Sequence, residues 1–168
     1  MSNRFPIRKV AVLGAGVMGA QIAAHLVNCK VPVVLFDLKS AEGAPSGIAE
    51  RAVANLKKLK PSPLGVASDA ELIEVANYDD DIKLLKGCDL VIEAIAERMD
   101  FKRDLYAKIA PKMAKHAILA TNTSGLSIHA LGEVLPDALK HRFCGIHFFN
   151  PPRYMHLVEL IGTPDTDA

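Results

Sequence analysis

The chain has 168 residues, half of them apolar, which suffices for one domain with a sizeable core. Its 20 basic and 19 acidic residues are interspersed and leave a formal net charge of +1, so nothing electrostatic favours nucleic acid or a membrane surface as partner. No apolar run approaches the roughly 20 residues that span a bilayer.

Met1 to Lys9 lead straight into a first strand without a signal-peptide core, so no cleaved targeting segment is expected. Cys29, Cys88 and Cys144 are far apart and lack the spacing of a zinc site or a redox dithiol. They read as reduced, mostly buried thiols, and the expected location is cytoplasmic.

Lys9 to Leu13 is a short apolar run, followed by glycines and a helical stretch from Val17 to Asn28. Val31 to Phe36 is a second β-rich run ending at Asp37, which completes the strand–helix–strand unit of a parallel sheet. Pro45 to Lys60 reads as a helix closed by Pro61 and Pro63. Between Leu64 and Ala76, Ser68 can cap a short helix and Ile73 to Ala76 can form a strand. Leu90 to Ile95 reads as a buried strand, and Asp100 as the cap of a helix ending near Pro111. Ile118 to Thr121 is a further strand, Ser127 to Val134 a short helix, and Phe143 to Phe148 and Leu157 to Ile161 the last two strands. The alternation predicts a doubly wound α/β fold over residues 1–168, with a mostly parallel sheet.

Gly14-Ala15-Gly16-Val17-Met18-Gly19 carries the first functional signal. Gly14 permits the turn out of the strand, Gly16 lets a pyrophosphate approach the backbone, and Gly19 lets the helix lie close to the sheet. The free N–H groups and dipole of the helix start would hold the anion. A structural glycine turn is the alternative. The preceding strand, the following helix and an acid 18 residues after Gly19 favour dinucleotide binding in a Rossmann-type fold. Asp37 is placed to accept hydrogen bonds from the ribose hydroxyls and would repel a 2′-phosphate by about 1–4 kcal/mol, which favours NAD over NADP.

Two dehydrogenase chemistries are excluded. Tyr78, Tyr106 and Tyr154 are followed four residues later by Ile82, Ala110 and Val158, so the tyrosine–lysine pair of one class is absent. No cysteine–histidine cluster has zinc-ligand spacing. A histidine base remains. His147 ends one apolar strand, and Glu159 lies 12 residues later in another. If those strands are neighbours, the carboxylate can hold one imidazole nitrogen while the other faces a substrate hydroxyl. A glutamate flanked by apolar residues is expected to face inward and need a partner. A core histidine beside an unrelated strand-end carboxylate is the competing reading.

The segment His147-Phe148-Phe149-Asn150-Pro151 with Glu159, together with Asn122-Thr123-Ser124 and Glu93-Ala94-Ile95-Ala96-Glu97, resembles the 3-hydroxyacyl-CoA dehydrogenase family from Lys9 to about Pro164. The resemblance implies oxidation of an L-3-hydroxyacyl-CoA by NAD, with His147 as general base and Glu159 as its partner. It implies further that Ser124 bonds the substrate oxygen and that Asn150 arranges the site. Val17 and Met18 of the glycine turn, with Ala96, Glu97, Lys102, Asn122 and Ser124, would line the cofactor. Lys57, Lys58 and Lys60 are candidates for the family's CoA-contacting lysine, with a solvated helix end as the alternative. His25, His116, His129, His141 and His156 match no catalytic position.

The family continues into a helical C-terminal domain that closes the acyl-CoA cleft and forms a homodimer. The chain is therefore expected to be part of a longer protein, its spelling nearest to large fatty-acid β-oxidation proteins that also carry an enoyl-CoA hydratase region. A nucleotide-binding module with little turnover of its own stays open beside the enzyme. So does another hydroxyacid dehydrogenase with its active-site lysine elsewhere, although the His147/Glu159 pair argues against it.

Overall fold

Several strands of this chain are continuous apolar runs, as strands covered on both faces must be. The computed structural model describes residues 5–167. Seven strands form one sheet in the order β3-β2-β1-β4-β5-β6-β7. They are β1 (Val10–Leu13), β2 (Val33–Asp37), β3 (Ile73–Asn77), β4 (Leu90–Glu93), β5 (Ile118–Thr121), β6 (Phe143–Phe148) and β7 (Val158–Gly162). All pairings are parallel except the antiparallel β6–β7 pair. The strand order reverses direction beside β1, where β4 takes over, the arrangement of a doubly wound Rossmann-type sheet.

Successive strand residues alternate between two apolar cores, one on each face. Val10, Val12, Val33, Leu35 and Ile92 pack with Ile22, Ala23 and Val27 of α1 (Val17–Asn28) and Ala49 of α2 (Gly47–Leu56). Leu13, Phe36, Val91 and Leu119 pack with Leu105, Tyr106 and Ile109 of α3 (Met99–Ile109) and with Leu131 of α4 (Ile128–Glu133). Ser127 caps α4 by accepting a hydrogen bond from the Ala130 N–H. A short α5 (Asp137–Lys140) and 3₁₀ turns at Ala67–Leu72 and Ile82–Gly87 complete the connections. Among the described residues no helix is long and apolar enough to cross a membrane.

Several boundaries differ from the sequence expectation for local reasons. Helix α2 starts at Gly47 and stops at Leu56, its last buried residue; Lys57 to Lys60 are exposed and supply no apolar contact to continue it. Strand β4 ends at Glu93, not Ile95, because the Glu93 carboxylate turns back to accept the Ile95 N–H at 2.7 Å. Arg98 occupies the cap position of α3, and Asp100 lies in its first turn, bonded to the Arg98 guanidinium. The short α5 and the turn at Ile82–Gly87 were not anticipated. Of the cysteines, Cys88 is buried, Cys144 half-buried and Cys29 exposed. Burial pushes the Cys88 thiol up to about 11.

The largest departure concerns β7. Its apolar residues predict a strand with Glu159 facing inward, yet all five of its residues are exposed, Leu160 at 75%. It is the last strand of the sheet and pairs on one side only.

Candidate active site

The glycine turn sits at the C-terminal end of β1, beside the end of β4, where a doubly wound sheet leaves a crevice between helices departing to opposite faces. Gly14 has φ +100°, and a Cβ there would lie 2.8 Å from the Ala94 carbonyl oxygen. A Cβ on Gly19 would overlap the Gly14 carbonyl oxygen. These two glycines are thus demanded by the fold itself. Gly16 is different: a Cβ on it would meet nothing within 4 Å. Its missing side chain leaves open space over the start of α1.

Two cavities adjoin the turn. The larger, about 560 Å³, is lined by Gly14, Gly16, Asp37, Tyr78, Ala96 and Phe101, among others. Asp37 accepts the Ala15 N–H at 2.6 Å and the Leu38 N–H at 2.7 Å, so its carboxylate is fixed at the end of β2. The Tyr78 ring stacks on Phe36, and among the described residues its buried hydroxyl has no hydrogen-bond partner. The open space over Gly16 and the seated Asp37 together fit a dinucleotide with an unphosphorylated ribose. Tyr78 and Phe101 were not singled out from the sequence, because aromatic residues at a turn and in a first helical turn read as ordinary packing.

The smaller cavity, about 300 Å³, is lined by Met18, Glu97, Asn122, Ser124, His147 and Asn150, with Ala94 and Ile95 shared with the larger one. His147 and Glu159 are direct cross-strand neighbours, and Nδ1 lies 2.8 Å from the Glu159 Oε2. The ring packs against Phe149, with centroids 4.6 Å apart. Nε2 makes no hydrogen bond with the described residues. Glu159 is about half exposed rather than inward-facing, since β7 is uncovered.

Asn122 Oδ1 accepts the Phe148 N–H at 2.9 Å, which ties β5 to the end of β6 beside His147. Glu97 accepts the Ser124 N–H at 2.7 Å, the Ser124 hydroxyl at 3.0 Å and the Gly125 N–H at 2.8 Å. The Ser124 backbone bond is the largest of the influences that hold the Glu97 carboxyl below its ordinary range, against desolvation. The Ser124 hydroxyl is therefore engaged by Glu97. Asn150 Oδ1 lies 3.3 Å from Gln21 Nε2, a contact that sequence separation concealed. Val17 is exposed at the start of α1 and lines neither cavity.

Two of the expected contact residues line neither cavity. Lys102 was assigned to the cofactor, but its side chain is 1% exposed and its ammonium sits 2.7 Å from both oxygens of the buried Glu93. The reason is its place on α3, where Lys102, Leu105, Tyr106 and Ile109 form the buried stripe. Lys57 lines neither cavity; its ammonium lies 3.8 Å from Glu71 on the surface. Among the described residues no group of His, Cys, Asp or Glu side chains could hold a metal ion.

Residues 9–168 match the family model described as 3-hydroxyacyl-CoA dehydrogenase, NAD binding domain. The chain belongs to this dehydrogenase family. A probable 3-hydroxyacyl-CoA dehydrogenase of Deinococcus radiodurans is 44% identical over 162 residues, which are 96% of this chain and 47% of that protein. One of Bacillus subtilis is 38% identical over 176 residues, covering 96% of this chain and 22% of its own length. The crystal structure of 3-hydroxybutyryl-CoA dehydrogenase from Escherichia coli K12 superposes with a TM-score of 0.79 at 32% identity, over 97% of this chain and 34% of that one. The chain thus spans less than half the length of these members of the family. What it contributes is the family's NAD-binding domain.

Proposed function

We propose that this domain takes part in the NAD-dependent oxidation of an L-3-hydroxyacyl-CoA to the 3-ketoacyl-CoA, a step of fatty-acid β-oxidation. The observation that carries the reading is the position of His147. It lines the cavity next to the nucleotide cleft, with one ring nitrogen held by Glu159 and the other making no hydrogen bond with the described residues. Bound NAD supplies the hydride acceptor.

His147 takes the hydroxyl proton on Nε2 while Nδ1–H donates to the Glu159 carboxylate, which fixes the tautomer and stabilises the imidazolium. Asn122 and Phe149 hold the His147 end of β6 in place. Ser124 lies at the cavity edge, where its hydroxyl would turn from Glu97 to donate to the substrate oxygen, and Asn150 borders the same space. Asp37 orients the adenosine ribose, and the start of α1 receives the pyrophosphate. The lengths of the relatives support a further domain in the whole protein, where the acyl-CoA cleft and the homodimer contact would be completed.

The test is a fluorescence titration of this chain with NADH, followed by addition of acetoacetyl-CoA and measurement of nicotinamide absorbance. NADH binding with oxidation on addition of the thioester supports the reaction. NADH binding with negligible oxidation limits this chain to the cofactor-binding half. A folded sample that does not bind NADH removes the basis of the reading.

A further inference from the structure

Helix α1 turns one face toward the segment that follows His147. Met18, Gln21, His25 and Asn28 recur every three or four residues, the spacing of a single helical stripe. Met18 lines the His147 cavity, and His25 packs edge-on against Phe148 with centroids 6.3 Å apart. Asn28 bonds the loop at Pro63 and Gly65. Gln21 lies between them, 8% exposed, and its Nε2 donates to the Asn150 Oδ1 at 3.3 Å.

The backbone on either side of Asn150 is held independently of that bond. The Phe148 N–H donates to Asn122 Oδ1, and the Arg153 guanidinium donates to the Ser62 and Leu64 carbonyls. What Gln21 adds is the orientation of an amide. The terminal torsion of an asparagine is broad and roughly two-fold, so an unheld amide can present either its oxygen or its nitrogen. With Oδ1 engaged by Gln21, Nδ2 is the end left for a ligand. It makes no hydrogen bond with the described residues, and Asn150 is exposed at the edge of the His147 cavity.

We propose that Gln21 is a positioning residue for the acyl-CoA: it holds the Asn150 amide with Nδ2 toward the cavity, as a donor to the thioester carbonyl oxygen. The inference rests on the dehydrogenase reading above. A 3-ketoacyl thioester carries two carbonyl groups separated by one methylene. In that reading the C3 oxygen goes to His147 and Ser124, so the thioester oxygen needs a donor of its own. An asparagine oxygen in the same place would repel it. Because the thioester carbonyl is not the carbon that exchanges hydride, the bond acts on substrate binding more than on the chemical step.

The experiment is a double-mutant cycle in the full-length protein, with acetoacetyl-CoA and NADH as substrates. Gln21→Met keeps the length of the side chain but frees the Asn150 amide. Gln21→Glu keeps the shape but can only accept, so it draws Nδ2 to itself and turns Oδ1 to the cavity. The expected result is a rise in KM for acetoacetyl-CoA of about three- to fivefold for Gln21→Met and about tenfold or more for Gln21→Glu. Turnover and NADH affinity should stay within about twofold. In an Asn150→Ala background both substitutions should lose their effect on KM, since no amide is left to orient. A rise of the same size in that background marks a merely structural role and overturns the proposal, as does an unchanged KM without it. Should thermal melting show that the buried glutamate is not tolerated, the Gln21→Met arm decides alone. A full-length protein that binds NADH but does not oxidise it with acetoacetyl-CoA would instead defeat the dehydrogenase reading on which the inference rests.

Discussion

His147 and Glu159 stand directly opposite each other across the antiparallel β6–β7 pair, the ring Nδ1 2.8 Å from the carboxylate Oε2. The contact is a cross-strand neighbour pair, so backbone pairing rather than side-chain reach brings the two groups together.

His147→Ala is expected to lower turnover by about a hundredfold or more in any preparation that oxidises NADH with acetoacetyl-CoA, with NADH affinity nearly unchanged. Glu159→Gln keeps the shape and an acceptor for Nδ1–H but removes the charge that stabilises the imidazolium. It should lower turnover by about ten- to a hundredfold. Steady-state kinetics beside NADH titrations separate the effects; parallel losses of binding and rate in His147→Ala would refute its assignment as the base.

The two glycines Gly16 and Gly19 should fail in opposite ways. Gly16→Ala adds a methyl group into open space and should melt within about 2 °C of the parent, yet bind NADH about tenfold more weakly, a loss of about 1.4 kcal/mol. Gly19→Ala drives a Cβ into the Gly14 carbonyl, where only backbone can give way. It should cost about 3 kcal/mol or more and lower the melting temperature by roughly 6–12 °C. Melting curves and NADH titrations on the pair decide the matter; a Gly16→Ala protein that binds NADH normally would remove the strongest structural argument for a pyrophosphate there.

The tether from Glu97 to Ser124 and Gly125 has a defined pH dependence. The Ser124 N–H, with further help from its hydroxyl and the Gly125 N–H, keeps the Glu97 carboxyl below its ordinary value of 4.5. The tether's contribution is therefore complete above that value and is lost as pH falls through the lower folded one. The Ser124 and Gly125 amide resonances should hold their neutral-pH positions until below 4.5, and Glu97→Gln should abolish the transition. A midpoint at or above the ordinary value would contradict the assignment.

The strand–helix alternation and the glycine turn were legible because both are local patterns: apolar runs, and glycines at fixed offsets. The His147/Glu159 pair was legible only once β6 and β7 were assumed to be neighbours. The burial of Lys102 was not read, although its spacing from Leu105, Tyr106 and Ile109 places it on the apolar stripe of α3. A lysine on such a stripe needs a buried carboxylate, and that partner comes from another element, Glu93. For β7, composition reported apolar residues correctly, but whether anything lies over a strand is a property of its surroundings and not of its own sequence. The Gln21–Asn150 contact joins residues 129 apart in the chain, and no periodicity could announce it.

Pairing by backbone ladder has a consequence for how the His147–Glu159 contact tolerates change. Because side chains alternate from one face of a strand to the other, inserting one residue within β6 or β7 between the pair and the connecting loop would slip the ladder and turn one partner to the opposite face. Extra residues in the loop after Tyr154 would leave the ladder intact and carry only a small closure cost. The spacing of twelve between His147 and Glu159 is then not the quantity that chemistry requires; strand phase is, and loop length is free to drift around it.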